Sequence, residues 1–251
     1  MTLQEFFQQH KKVAVAFSGG VDSAYLLYAA KSCGADVRAY YVKSEFQPQF
    51  EQNDAKRFAA EQGIALRVIK LSVLEDAHVY ENPPERCYYC KQRIFSAVKK
   101  AAKEDGFSVL LDGTNASDTA SDRPGMRVLP ELSVYSPLRV CGLTKSMIRE
   151  LSRAHGLFTW DKPAYACLAT RIPAGEEITG QKLAAVEAAE DFLFSLGFTD
   201  FRVRTHGKNA KIQLPEEGFS RLFTCRGEVY AELKKHFDAV VLDLEPRGGM
   251  E

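Results

Sequence analysis

The chain has 251 residues, room for one large domain or two modest ones, and its 45% hydrophobic residues supply a real core. Lys plus Arg and Asp plus Glu each total 33, so the formal charge is zero and nothing in the balance favours a nucleic acid as partner. No apolar run approaches the ~20 residues that span a bilayer, and residues 1–12 are polar with no signal-peptide core. A cytoplasmic protein without a membrane partner is therefore expected. Its six cysteines then point to metal, redox or nucleophilic roles before disulfides.

In chain order, the first signal is the β-branched run Val13-Ala14-Val15-Ala16-Phe17. It meets Ser18-Gly19-Gly20-Val21-Asp22-Ser23 and changes to helical spacing, which predicts a strand, a sharp turn and a helix over 23–32 ended by Gly34. Glycines at 19 and 20 let the backbone approach a ligand closely. The amides of the turn and of the first helical residues then face one spot, with the positive end of the helix dipole behind them. Ser18 and Ser23 add hydroxyl donors, so a phosphate or pyrophosphate suits the site. It is neither the Rossmann G-x-G-x-x-G nor a Walker loop, which ends in Gly-Lys-Ser/Thr.

Strands are predicted over 37–42, 66–71 and 109–113, with helices over 53–62 (stopped by Gly63) and 93–103. This alternation predicts an α/β fold, a doubly wound parallel sheet with helices on both faces. Ligands of such sheets sit at the carboxyl ends of the strands. Ser18, Ser44 and Thr114 each follow a predicted strand, and one crevice there is expected to collect all three.

Between the third strand and its helix lies Glu85-Arg86-Cys87-Tyr88-Tyr89-Cys90-Lys91. The Cys-x-x-Cys spacing lets two sulfurs reach one zinc or iron–sulfur centre, or form a redox pair. Cys167, in Ala166-Cys167-Leu168-Ala169-Thr170-Arg171-Ile172-Pro173, is a third candidate, with Lys162 and Arg171 placed to favour its thiolate. Cys33, Cys141 and Cys225 read as plain small core residues.

The tail has a different grammar. A helix is predicted over 179–196, an alternating strand over 201–205, a turn at 206–209, a returning strand over 210–214, a helix over 226–236 and a strand over 239–244. Domains are thus expected at 1–174 and 175–251. Arg202 and Arg204 share one strand face and make a fork for a substrate phosphate, or else a solvated face. Glu190, on the preceding helix, is expected near them.

Several segments then occur together, in order: the Ser-Gly-Gly-Val-Asp-Ser turn, the Cys87–Cys90 segment, Asp112-Gly113-Thr114-Asn115, Asp122-Arg123-Pro124-Gly125, Ser136-Pro137-Leu138 and the Cys167 segment. The turn resembles the PP-loop of the N-type ATP pyrophosphatases, which cleave ATP to AMP and pyrophosphate. The whole, from about residue 10 to about 245, resembles the LarE family of ATP-dependent sulfurtransferases in nickel-pincer nucleotide cofactor synthesis. The resemblance implies that ATP adenylates a carboxylate of pyridinium-3,5-biscarboxylic acid mononucleotide, which is then converted to a thiocarboxylate. It implies ATP at Ser18, Gly19, Gly20, Val21, Asp22 and Ser23, and a homo-oligomer, six subunits by family habit. Some members sacrifice the sulfur of the cysteine matching Cys167 and become dehydroalanine. Others hold a 4Fe–4S cluster on three cysteines, and Cys87, Cys90 and Cys167 match that second type. Family members continue past the last strand with a longer Gly/Ser-rich ending, whereas here Glu245-Pro246-Arg247-Gly248-Gly249-Met250-Glu251 is brief.

The chemistry suits the residues. A carboxylate accepts sulfur poorly because its oxide leaving group is very basic. Adenylation supplies AMP instead, and the Ser-Gly-Gly turn with Mg²⁺ would neutralise the departing pyrophosphate. Asp22 is the nearest acid, a metal ligand or simply a carboxylate favoured by the helix dipole. The sulfur itself comes from sulfide or another donor. The competing readings are tRNA thiolation and a non-enzymatic nucleotide sensor with zinc at Cys87 and Cys90.

Overall fold

The computed structural model describes residues 1–118 and 124–248. Asp122 and Arg123 of the Asp-Arg-Pro-Gly motif, and the last three residues of the tail, lie outside the described residues. In chain order the elements are α1 (Leu3–Gln9), β1 (Lys12–Ala16), α2 (Val21–Ser32), β2 (Asp36–Lys43), α3 (Gln49–Gln62), β3 (Ala65–Lys70), α4 (Ala77–Tyr80), α5 (Arg86–Glu104) and β4 (Val109–Leu111). Then follow α6 (Val128–Glu131), α7 (Pro137–Val140), α8 (Lys145–Ala154), α9 (Gly180–Ser195), β5 (Arg202–His206), β6 (Asn209–Gln213), α10 (Glu216–Thr224), α11 (Arg226–Leu233) and β7 (Val240–Leu242). The contacts divide the chain into two units, Met1–Val73 with Glu85–Lys162, and Leu74–Pro84 with Pro163–Glu251.

The first unit is built on a four-stranded parallel sheet in the order β3-β2-β1-β4. Apolar residues on both sides of each strand require cover on both faces. Val13, Val15, Ala39, Tyr41 and Leu111 pack with Leu26 and Leu27 of α2, Phe58 of α3 and Ile148 of α8. Their neighbours Ala14, Tyr40, Val42 and Leu110 pack instead with Phe95, Val98 and Ala101 of α5 and Val128 and Leu129 of α6. This is the doubly wound fold that the strand–helix alternation predicts. The chain runs from β1 outward to β2 and β3, then returns to place β4 on the other side of β1. That reversal is a topological switch point, the usual place for a ligand in an open α/β sheet.

The second unit holds a three-stranded sheet in the order β5-β6-β7, with β5 and β6 antiparallel and β6 and β7 parallel. Thr179 caps α9 by accepting from the Lys182 amide at 3.2 Å. Residues 74–84 belong here because Gly175 N donates to Asn82 O at 2.9 Å and Ile178 N to Tyr80 O at 2.7 Å. The Asn82 amide also donates to Pro173 O at 2.7 Å. The expected division after residue 174 differs from this partition by residues 163–174 and by that excursion.

Candidate active site

The first cluster lies in the first unit at the switch point. The Ser-Gly-Gly turn follows β1, and Gly19 takes a left-handed φ of +81° that only glycine adopts without strain. A Cβ there would also stand 3.2 Å from Glu51 O of α3. Gly20 is the N-cap of α2 with no side-chain cap, so first-turn amides stay available to an anion. The serines tie the turn to itself. Ser18 Oγ and Ser23 Oγ are 3.1 Å apart, and Ser23 Oγ donates to Gly20 O at 3.3 Å.

The other two expected residues lie at the same edge. Ser44 follows β2 and donates to Gln47 Oε1 at 2.7 Å, and Thr114 follows β4 and donates to the Asp112 carboxylate. With β1 between them, the parallel sheet sets Ser18, Ser44 and Thr114 beyond the carboxyl ends of three adjacent strands. The β1 and β4 ends are in tight contact, since a Cβ on Gly113 would stand 2.8 Å from Ser23 N. Asp112 is buried and also accepts from Ser136 Oγ at 2.6 Å. Burial raises its carboxyl above the ordinary range, opposed by the Ser136 and Thr114 hydroxyls and the Lys91 charge.

Two lysines close the cluster. Lys145 Nζ pairs with Asp22 Oδ2 at 2.6 Å, while the Asn115 amide donates to Asp22 Oδ1 at 3.3 Å. Lys162 Nζ donates to Gly19 O at 3.2 Å and pairs with Asp54 at 2.6 Å. Sequence reasoning missed Lys145 altogether. Its one signal was position, because a lysine in the first turn of a helix opposes the dipole. Lys162, read from sequence as a neighbour of Cys167, is engaged instead with the Ser-Gly-Gly turn and α3. Lys162→Met should therefore lower ATP-dependent pyrophosphate release roughly ten- to hundredfold, the ~1.5–3 kcal/mol of a hydrogen bond to a charged group. A pyrophosphate assay on the two proteins checks it, and an unchanged rate would show that the turn holds without this bond.

Cys87 sits in the first turn of α5 and Cys90 at the start of the second, the helix beginning at Arg86 rather than at the expected residue 93. Cys87 is exposed and receives Arg86 Nη2 at 3.5 Å, and Cys90 is half-buried. The i, i+3 spacing puts both sulfurs on one helix face, a fit for two ligands of a metal centre. Among the described residues, no group of three or more His, Cys, Asp or Glu side chains comes together to hold a metal ion.

The second cluster lies in the second unit, around half-buried Cys167. Arg171 is fully buried, and its Nε and Nη2 reach Glu190 Oε1 and Oε2 at 2.8 and 3.0 Å. Glu190 also accepts from Val203 N at 2.9 Å and from the Tyr165 hydroxyl. This places it beside the strand that carries Arg202 and Arg204, with both oxygens engaged by the protein's own donors. Arg202 is itself buried, donating to Ala164 O at 3.1 Å and Phe201 O at 2.6 Å. Arg204 donates to Gln213 Oε1 at 2.6 Å and to Thr170 O. Burial, with repulsion from Arg171 and Arg247, pushes Arg202 down to about 10 and Arg204 down as well. Burial also works against the Arg171 charge, but the Glu190 bonds outweigh it and hold the group above its ordinary value.

The family model for "Queuosine biosynthesis protein QueC" matches residues 12–81, which include β1, the Ser-Gly-Gly turn and α2. The chain is 34% identical over 247 residues to an uncharacterized protein of Synechocystis sp., covering 97% of this chain and 92% of that one. It is 34% identical over 246 residues to the pyridinium-3,5-bisthiocarboxylic acid mononucleotide synthase of Lactiplantibacillus plantarum, covering 97% and 89%. A tRNA-specific 2-thiouridylase of Clostridium botulinum is 28% identical over 182 residues, covering 60% of this chain and 52% of that protein.

Proposed function

The chain belongs to the LarE-type family of pyridinium-3,5-bisthiocarboxylic acid mononucleotide synthases, and from that premise we propose that it is an ATP-dependent sulfurtransferase acting on the biscarboxylic acid mononucleotide. The observation that carries the reading is the glycine turn at the switch point, with uncapped α2 amides and Asp22 beside them. PP-loop enzymes bind ATP with Mg²⁺. Here the turn would receive the pyrophosphate, and Asp22 would exchange Lys145 for the metal. A substrate carboxylate oxygen attacks the α-phosphorus and pyrophosphate leaves. A sulfur nucleophile then attacks the acyl adenylate, and AMP leaves with the electron pair of the broken C–O bond. Labelling with a photoreactive ATP analogue tests the site. Attachment within or beside residues 18–23 supports it, and attachment confined to the second unit contradicts it.

The sulfur carrier we favour is a 4Fe–4S cluster on Cys87, Cys90 and Cys167. Three soft thiolates and the helical pairing of two of them support it. Such a cluster would supply an open iron for a hydrosulfide. Iron and sulfide analysis of anaerobically purified protein tests it, and a loss of about 34 Da as H₂S at residue 167 after one turnover would show the sacrificial route instead. The likeness to tRNA thiolases spans little more than half of those proteins and goes with the shared loop.

Arg202 and Arg204 are the proposed ligands of the substrate phosphate. Changing either to alanine should weaken substrate binding roughly tenfold or more while ATP affinity stays near normal. Anion binding should persist at neutral pH and fade as pH rises through about 10, where Arg202 gives up its proton. Calorimetric titration of each nucleotide checks both, and equal losses for ATP and substrate would contradict the assignment. Six free cysteines support a cytoplasmic location, and no helix among the described residues is long and apolar enough to cross a membrane. The exposed apolar side chains Phe223, Tyr230 and Val241, around a groove of about 410 Å³, support a homo-oligomer, for which we propose six copies, to be read as mass by light scattering.

A further inference from the structure

The backbone that carries Cys167 is held from several sides by donors of its own unit. The Ala164 carbonyl accepts from Arg202 Nη2 at 3.1 Å, and the Ala166 carbonyl from Arg171 Nη1 at 2.9 Å. The Cys167 carbonyl accepts from Thr170 N at 3.0 Å and Thr170 Oγ1 at 2.8 Å. The Thr170 carbonyl accepts from Arg204. Thr170 Oγ1 in turn accepts from Arg171 Nη1 at 2.9 Å, so one guanidinium anchors both peptide groups that flank Cys167. Those two planes fix φ and ψ of Cys167, at −54° and 150°, and with them the direction of its Cα–Cβ bond. Only rotation about χ1 remains to the sulfur.

Stability does not explain the arrangement. Two buried guanidinia and a half-buried third face one carboxylate here, and a buried ion pair is commonly no more stable than apolar residues of the same volume. The Tyr165 ring, 4.5 Å from the Arg171 guanidinium and 5.5 Å from that of Arg202, completes the frame and hands its hydroxyl to Glu190. Glu190 also takes the Val203 amide, so the same carboxylate that orients Arg171 sets the start of β5, which carries Arg202 and Arg204.

We propose that Arg171, oriented by Glu190 and relayed by Thr170, is the positioning residue that sets the direction in which Cys167 presents its sulfur during sulfur transfer. The proposal rests on the reading that the Cys167 thiolate is needed for sulfur transfer. It needs no charge transfer to the thiol, only a fixed backbone, and a displacement of about 1 Å at a reacting atom costs on the order of a hundredfold in rate.

The test compares Arg171→Lys, Thr170→Val, Thr170→Ser and Cys167→Ala with the unaltered protein. Each is given ATP and the biscarboxylic acid mononucleotide, and the pyrophosphate released in the first turnover and the thiocarboxylate formed are measured in the same tubes. Arg171→Lys should release its first equivalent of pyrophosphate at the normal rate but form at least tenfold less thiocarboxylate per pyrophosphate. Thr170→Val, which leaves the Arg171–Glu190 pair intact and so guards against a folding defect, should lower the same ratio severalfold, and Thr170→Ser should restore it. A normal ratio in both Arg171→Lys and Thr170→Val, with Cys167→Ala inactive in transfer, would overturn the positioning role alone. So would a parallel fall in first-turnover pyrophosphate release and transfer, the mark of a merely structural residue. Full transfer by Cys167→Ala would instead remove the reading beneath the proposal.

Discussion

Glu190→Ala should destabilise the second unit by about 3–5 kcal/mol, the usual cost of leaving one member of a buried ion pair without its partner. Glu190 is 1% exposed and Arg171 0%, so water cannot take over the lost role. The Val203 amide and the Tyr165 hydroxyl lose their acceptor in the same step. Against a domain stability of about 5–15 kcal/mol, that is a large share. Urea unfolding followed by tyrosine and tryptophan fluorescence reads the change. Glu190→Gln keeps an acceptor for the amide and should cost less than the alanine variant. A midpoint within 1 kcal/mol of the parent for Glu190→Ala would show that Arg171 finds another partner.

Gly113→Ala should lower ATP-dependent pyrophosphate release by about a hundredfold. A Cβ at residue 113 would meet Ser23 N at 2.8 Å, Ser23 Cα at 3.1 Å and Ser23 Cβ at 3.2 Å. Two of these atoms are backbone in the first turn of α2, so the clash is relieved only by moving the helix start or the end of β4. Either motion displaces the amides proposed to receive the pyrophosphate. The overpacking itself should cost about 1–3 kcal/mol of stability, so the variant should fold yet lose most of its adenylation. Steady-state pyrophosphate release checks it, and unchanged kinetics would place the nucleotide away from this turn.

Much of the first unit was legible because local signals and global topology agree. The β-branched run before Ser18 can only be a strand, the glycines can only be a turn, and two-faced apolar strands require a parallel sheet with helices on both sides. What escaped depends on partners far apart in sequence. Residues 74–84 join the second unit through hydrogen bonds to 172–178, about ninety residues away, which no local pattern announces. The start of α5 was placed late because its N-cap, Glu85, makes no side-chain cap bond, so Cys87 and Cys90 looked like a loop. Helix α10 was hidden by Pro215 and Gly218, residues that usually punctuate loops. The alternation over 201–205 correctly put Arg202 and Arg204 on one face. It could not say that this face is turned toward the carbonyls of 164–170, because periodicity reports a side and not a neighbour. The pairings of Lys145 and Lys162 were invisible for the same reason, as their partners Asp22 and Asp54 lie more than a hundred residues earlier.

The central claim is that ATP is split at the Ser-Gly-Gly turn to activate a carboxylate for sulfur. Its most direct measurement is the product balance from ATP and pyridinium-3,5-biscarboxylic acid mononucleotide under anaerobic conditions with sulfide supplied. The account predicts AMP and pyrophosphate in equal amounts, both dependent on the mononucleotide, with one thiocarboxylate for each AMP. ADP and phosphate as products, or AMP formed with no thiocarboxylate, would contradict it.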